Sequence, residues 1–174
     1  TQSFTFPTGK GGIYRPIGMS APTGTTTSFT AEYFKSDPGL LYNALSLVLT
    51  LKQISRCEYW TLQRTVGTSN VNVTLSWNTG TCAVGTPSDV KVAAWDPLLS
   101  IWKDFGSTAS TGNASIGSIT SGSLVSSFGA FTFSSTNASV SLPVELTNFT
   151  AEIVNDRTLV SWQTASENNN DYFT

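Results

Sequence analysis

The sequence of 174 residues contains no histidine. That removes the commonest general base near neutral pH and the commonest metal ligand. Nucleophilic chemistry by serine or cysteine therefore lacks its ordinary base. Charge is scarce as well: Asp, Glu, Lys and Arg make up 11% of the chain, against about 25% in ordinary globular proteins. The net charge is -2 with no basic cluster, which argues against nucleic acid and against anionic membrane surfaces as partners. No apolar run approaches the roughly 20 residues of a spanning helix, so membrane insertion is not expected. No signal-peptide pattern opens the chain, which reads as a processed or partial product.

Ser, Thr, Asn and Gly take the place of charge, together with five Trp, ten Phe and five Tyr. That is ample apolar material for a core and points to an all-β extracellular protein. The most informative stretch runs from Arg56 to Trp102. It holds three segments of period two: Tyr59 to Arg64, Val71 to Trp77 and Val90 to Trp95. In the second, Val71, Val73, Leu75 and Trp77 alternate with polar residues, the pattern of a strand with one buried and one wet face. Gly67-Thr68-Ser69-Asn70 has turn chemistry, so the first two segments are expected to form a hairpin. If it folds between Ser69 and Asn70, facing residues have numbers that sum to 139, and Cys57 and Cys82 do so. The two cysteines then either form a disulfide or pack as two small buried thiols. The disulfide is the preferred reading, and it implies an oxidising, extracytoplasmic location.

Elsewhere, Thr1 to Phe6, Ile13 to Ser20, Ser28 to Lys35, Ser100 to Phe105, Ile116 to Thr120 and Gly129 to Ser134 read as strands, with Pro16 placing the second of these at a sheet edge. Leu45, Leu47, Leu49 and Leu51 alternate with Ser46, Val48, Thr50 and Lys52, which favours a strand over a helix there. The glycines at 9, 11 and 12 make a turn; a phosphate-binding loop would need a Gly-Lys-Ser/Thr ending and a following helix. Turns at this spacing suggest an antiparallel β-sandwich over residues 1–141. A polar linker and Leu142-Pro143 lead into a shorter region, 142–174, with a second apparent hairpin turned at Asn155-Asp156.

For chemistry, glycoside hydrolysis needs only two carboxylates. Glu32, Asp37, Glu58, Asp89, Asp96 and Asp104 form no recognisable constellation, so no enzyme activity is expected. No dense Asp/Asn/Gly loop of the calcium-binding kind is present, and no metal or other cofactor is expected. Asn72, Asn113, Asn137 and Asn148 match Asn-x-Ser/Thr but read as solvated polar positions. Trp77 falls in phase with a core row. Trp95 and Trp102 lie beside polar residues and are the candidates for an aromatic glycan platform. In the C-terminal region Leu146, Phe149, Leu159 and Trp162 form apolar faces that a neighbour could cover by strand addition, so self-association or binding to other cell-surface proteins is expected.

The stretch Leu142 to Phe173, opening Leu-Pro-Val-Glu-Leu and continuing through Trp162-Gln-Thr-Ala-Ser-Glu to Asn170-Asp-Tyr-Phe, closely resembles a segment of many secreted Bacteroidetes proteins. In that family it opens an immunoglobulin-like or fibronectin-type-III-like module, commonly followed by the sorting domain of the type IX secretion system. The phrases Phe6 to Met19, Glu58 to Arg64, Val71 to Asn78, Asp89 to Asp96 and Phe128 to Ser135 are similar to β-rich regions of the same proteins. The resemblance implies a secreted surface protein, with 142–174 as the first strands of a second, Ig-like module or an assembly arm. The expected function is structural or adhesive, with a filament subunit as one form of it. The alternative is a carbohydrate-binding module of a larger secreted enzyme.

Overall fold

Alternation in this chain becomes two antiparallel sheets packed face to face. The computed structural model describes residues 2–78, 84–137, 146–154 and 157–164, and divides into two units, Thr1–Pro143 and Val144–Thr174. The first unit is an all-β sandwich. One sheet has the order β1 (Phe4–Phe6), β4 (Ile17–Met19), β8 (Val73–Trp77), β12 (Gly117–Thr120), β11 (Ala109–Gly112). The other runs β10 (Ile101–Asp104), β9 (Val90–Asp96), β13 (Gly129–Ser135), β7 (Tyr59–Val66), β5 (Ser28–Phe34), with β6 (Gln53–Ile54) also paired to β13. A short ribbon, β2 (Gly9–Lys10) with β3 (Ile13–Tyr14), pairs with neither.

Period-two patterning puts alternate residues of each strand between the sheets. From the first sheet come Ile17, Val73, Leu75, Trp77 and Ile119; from the second Tyr33, Trp60, Leu62, Val92, Phe131 and Phe133. Trp60 and Trp77 both meet the Phe133 ring edge-on, at 5.3 and 5.8 Å between centroids, so one aromatic from each sheet converges on it. The two outer faces differ. On the first sheet Thr74, Ser76, Ser118 and Thr120 face outward and are partly exposed. On the second, residues 38–51 cover the outer face: Tyr42, Leu47, Val48 and Leu51 pack on Tyr59, Ala93, Trp102 and Ala130. Burial on both sides explains why Gly129–Ser135 is almost wholly apolar or small, with only Gly129 incompletely buried.

The expected hairpin between Tyr59–Arg64 and Val71–Trp77 does not form, because β7 and β8 belong to different sheets. Trp60 and Leu62 face Val73, Leu75 and Trp77 across the core, which two strands of one sheet could not do. Residues 67–70 are the crest of an arch. Gly67 takes φ 86°, Arg64 Nη1 donates to the carbonyls of Thr68 (3.2 Å) and Ser69 (2.9 Å), and Ser69 Oγ accepts from Gly24 N at 2.8 Å. The leucine alternation at 45–51 does not make a strand either. After a 3-10 turn at Pro38–Leu40 the segment is irregular, with a single parallel bridge from Leu47 to Trp102. The edge of β10 takes that one bridge, and the segment bends over the sheet face instead of extending the ladder. Ile13 to Ser20 divides around Arg15-Pro16 into β3 and β4, and β4 is an interior strand rather than an edge.

In the second unit β14 (Leu146–Val154) and β15 (Arg157–Thr164) form an antiparallel pair with a register irregularity between Leu146 and Asn148. The turn expected at Asn155-Asp156 lies outside the described residues.

Candidate functional site

Glu58, Asp37, Asp96 and Asp104 each have a local structural task. Glu58 and Arg15 are completely buried, and Arg15 Nε donates to Glu58 Oε2 at 2.9 Å. The Tyr33 hydroxyl donates to the same oxygen at 2.6 Å, Arg15 Nη2 donates to the Asn78 carbonyl at 2.9 Å, and Trp60 Nε1 donates to the Arg15 carbonyl at 2.9 Å. A carboxylate enclosed in this way ties β7 to the segment before β4 and leaves no room for a substrate. Asp37 caps the 3-10 turn through Gly39 N and is ion-paired to Arg56 at 2.7 Å. Asp104 accepts from Gly106 N at 2.7 Å, Glu32 is exposed on β5, and Asp89 ends a second 3-10 turn at Pro87–Asp89. Among the described residues no group of three or more potential ligands could hold a metal. Burial, followed by the Tyr42 and Glu32 side chains, pushes the Tyr59 phenol up, against a smaller opposing hydrogen bond to Ser36.

The aromatic platform is corrected by burial. Trp102 is completely buried and offers no face to a ligand. Trp95 is half-buried, with Tyr42 and Trp102 each 5.5 Å from its ring. Both belong to the cluster roofed by residues 38–51. An open groove of about 370 Å³ lies on the outer face of the first sheet, lined by uncharged residues such as Thr5, Gly18, Asn72, Thr74 and Thr120. Register aligns Thr5, Gly18, Thr74 and Thr120 across four strands, and the missing side chain at Gly18 lowers the floor. Thr74 and Thr120 hydrogen-bond each other at 2.8 Å, and Ser76 donates to the Pro16 carbonyl at 2.8 Å, so part of this polarity is satisfied internally.

Two surfaces are more distinctive. In the hairpin, register places Phe149 opposite Trp162, Ala151 opposite Val160 and Ile153 opposite Thr158, and residues directly opposite share a face. That face is apolar, and its described members are exposed: Phe149 61%, Ile153 82%, Val160 40%. Leu159 pairs with Glu152 on the other face, beside the Val154–Arg157 pair, so it does not extend the row containing Phe149. The side chains of Leu146 and Trp162 lie outside the described residues. Phe149 thus shares its row with Ile153 and Val160, which the sequence reading did not name.

The second surface consists of leucines on the sandwich, which the sequence reading did not identify. Leu98 and Leu99 are 93% and 66% exposed at the tip of the β9–β10 turn, and Leu45 and Leu49 are equally open. Ser46 Oγ donates to the Ser100 carbonyl at 2.6 Å and Trp102 N donates to the Ser46 carbonyl at 2.8 Å, which holds the Leu45 segment against the turn. The turn is stiff: Asp96 Oδ1 accepts from Leu98 N at 2.9 Å and Leu99 N at 3.1 Å, and Asp96 is ion-paired to Lys103. The Lys103 hydrogen bond, then that from Leu99 N, holds the Asp96 carboxyl below the ordinary range.

Cys57 is buried just before β7. Cys82 lies outside the described residues. No family model, curated protein or solved structure matches the chain.

Proposed function

We propose that this protein is a non-enzymatic, secreted structural or adhesive component of the cell surface that associates with itself, or with other surface proteins, through its C-terminal hairpin. The observation that carries the reading is the hairpin's apolar face, with Phe149, Ile153 and Val160 exposed on one side and Glu152 and Arg157 on the other. A two-stranded ribbon is marginal by itself in water, and contact with another surface removes its apolar side chains from solvent. An extracellular filament is the open form such association takes when its rotation does not close. The resemblance of Leu142 to Phe173 to a segment of secreted Bacteroidetes proteins supports an Ig-like module and export by the type IX route. A disulfide between Cys57 and Cys82 belongs to the same reading.

Glycan binding is the second reading, and the specific observation in its favour is the uncharged hydroxyl-lined groove around Gly18. The deciding experiment is electron microscopy of the natively secreted protein, before and after reduction, with soluble glycans screened on the same material. Ordered fibres or sheets support self-association. Dispersed monomers that bind a neutral oligosaccharide would replace it with the second reading.

A further inference from the structure

Register places Thr5, Gly18 and Thr74 in one row on the outer face of the first sheet. The period of two carries Ser3, Ser20 and Asn72 into the next row on that face, and Pro16 and Ser76 into the row on the other side. The groove therefore runs along β4. Pro16, Gly18 and Ser20 form its floor, Ser3 and Thr5 one wall, and Asn72, Thr74 and Ser76 the other. Wall to wall is two strand spacings, about 10 Å, and the volume of about 370 Å³ lies in the range of small-ligand pockets.

Some of its polar atoms are already used: Thr74 bonds Thr120, and Ser76 bonds the Pro16 carbonyl. Others are open. The Ser3 and Thr5 hydroxyls have no protein partner among the described residues. Asn72 gives Nδ2 to the Ser121 carbonyl at 3.0 Å and keeps Oδ1, while Ser20 Oγ accepts from Asn72 N at 2.9 Å and keeps its proton. Open donors and acceptors thus face each other across the floor, between the methyl groups of Thr5 and Thr74 and the Pro16 ring.

We infer that this groove holds a short neutral oligosaccharide lying along β4. The inference rests on the glycan reading and adds to it the atoms that hold the sugar; it does not involve the hairpin. Three observations select that occupant. A sugar hydroxyl both donates and accepts, which suits open atoms of both kinds, and its C–H faces suit the methyl groups between them. An extended peptide binds a sheet at an edge, where it finds backbone partners. Here β1, β4, β8 and β12 spend theirs on one another, so a peptide's N–H and C=O groups would stay unpaired. An anionic glycan would find no cation, since among the described residues no Lys or Arg lines the groove. No aromatic ring lines it either, so one site binds weakly, at about millimolar concentration.

Amide chemical shifts of the isotope-labelled full chain test it, titrated with neutral β-glucan, α-glucan, mannan and galactan tetrasaccharides and with tetragalacturonate. At least one neutral member is expected to move the amides of Gly18, Ser20 and Thr74, and tetragalacturonate to move none. Thr5→Val keeps the shape of the wall and removes an open hydroxyl, so binding should weaken about three- to tenfold. Gly18→Val fills the floor and should abolish binding, with near-UV dichroism confirming the fold. A Cβ at Gly18 stands 3.2 Å from Thr74 Cβ, so Thr5→Val carries the test if that variant does not fold. Tyr14→Ser, at an exposed aromatic outside the groove, is expected to bind like the parent. A neutral sugar that binds Thr5→Val like the parent, or moves amides only elsewhere, overturns the inference and leaves glycan binding standing at another site. Tetragalacturonate binding as tightly as the neutral sugars also overturns it. So do the same amide shifts produced by a peptide of the β14 sequence, which would assign the groove to a peptide. A parent chain that binds no member of the panel defeats the glycan reading itself.

Discussion

In β8, Val73, Leu75 and Trp77 alternate with polar residues and are at most 1% exposed. In β14, Phe149, Ala151 and Ile153 alternate in the same way, yet Phe149 and Ile153 stand open to solvent. The local patterns are equivalent and the difference lies in the second layer. β8 has the six-stranded sheet over its apolar face, about 10 Å away, whereas the described part of β14 has only its ladder partner β15. Alternation therefore identifies which face is apolar, and the packing of a second layer decides whether that face stabilises the fold or remains available for contact.

Three perturbations test this contrast. The largest effect is expected at the covered face: Leu75→Ala should cost about 2–5 kcal/mol in urea unfolding, because it leaves a cavity between two sheets. Ile153→Ala should change unfolding of the sandwich by less than about 0.5 kcal/mol while weakening association. Similar unfolding losses at both sites would erase the distinction. A smaller effect is expected at the arch that lets β7 and β8 face each other. Gly67 has φ 86°, and a Cβ there would come 2.6 Å from Thr27 Oγ1. Gly67→Ala should then cost about 1–3 kcal/mol, read from the same urea midpoints; a neutral result would mean that the crest does not determine the crossing.

The smallest effect concerns the turn presenting the leucines. The folded state holds the Asp96 pKa below its ordinary value of 3.8. A depressed carboxyl stabilises the folded turn above the unfolded pKa, and that contribution disappears as pH falls through the folded value. Amide exchange at Leu98 and Leu99 should accelerate only below about pH 4, and Asp96→Asn should remove that pH dependence. Exchange that is equally slow in acid would show that the ladder, not the carboxylate, stiffens the turn.

The class of fold was legible because period-two patterning is local: β5, β7, β8, β9, β10 and β13 coincide with alternating segments, and Trp77 is in the core as its phase implies. Partner choice was not legible. Gly67 to Asn70 has turn chemistry whether the chain returns in the same sheet or arches over to another. Trp95 and Trp102 looked available because polar residues flank them, but neighbours in space, Tyr42 and Leu47, roof that side of the sheet. The Arg15–Glu58 tie spans 43 positions, and only the rarity of charge amid apolar residues marked its members. On the hairpin, Leu159 and Phe149 looked alike until register assigned them opposite faces.

The strand order has a consequence in time. β13, the last strand of the sandwich in sequence, sits in the middle of its sheet, between β9 and β7. Until residues 129–135 are in place, the β9–β10 ribbon and the β5–β7 pair have no strand joining them. Such distant pairings fold in milliseconds to seconds rather than microseconds. A chain emerging from its N-terminus thus stays open through most of its length and closes late, as one event, with Trp60, Leu62 and Val92 unprotected until then.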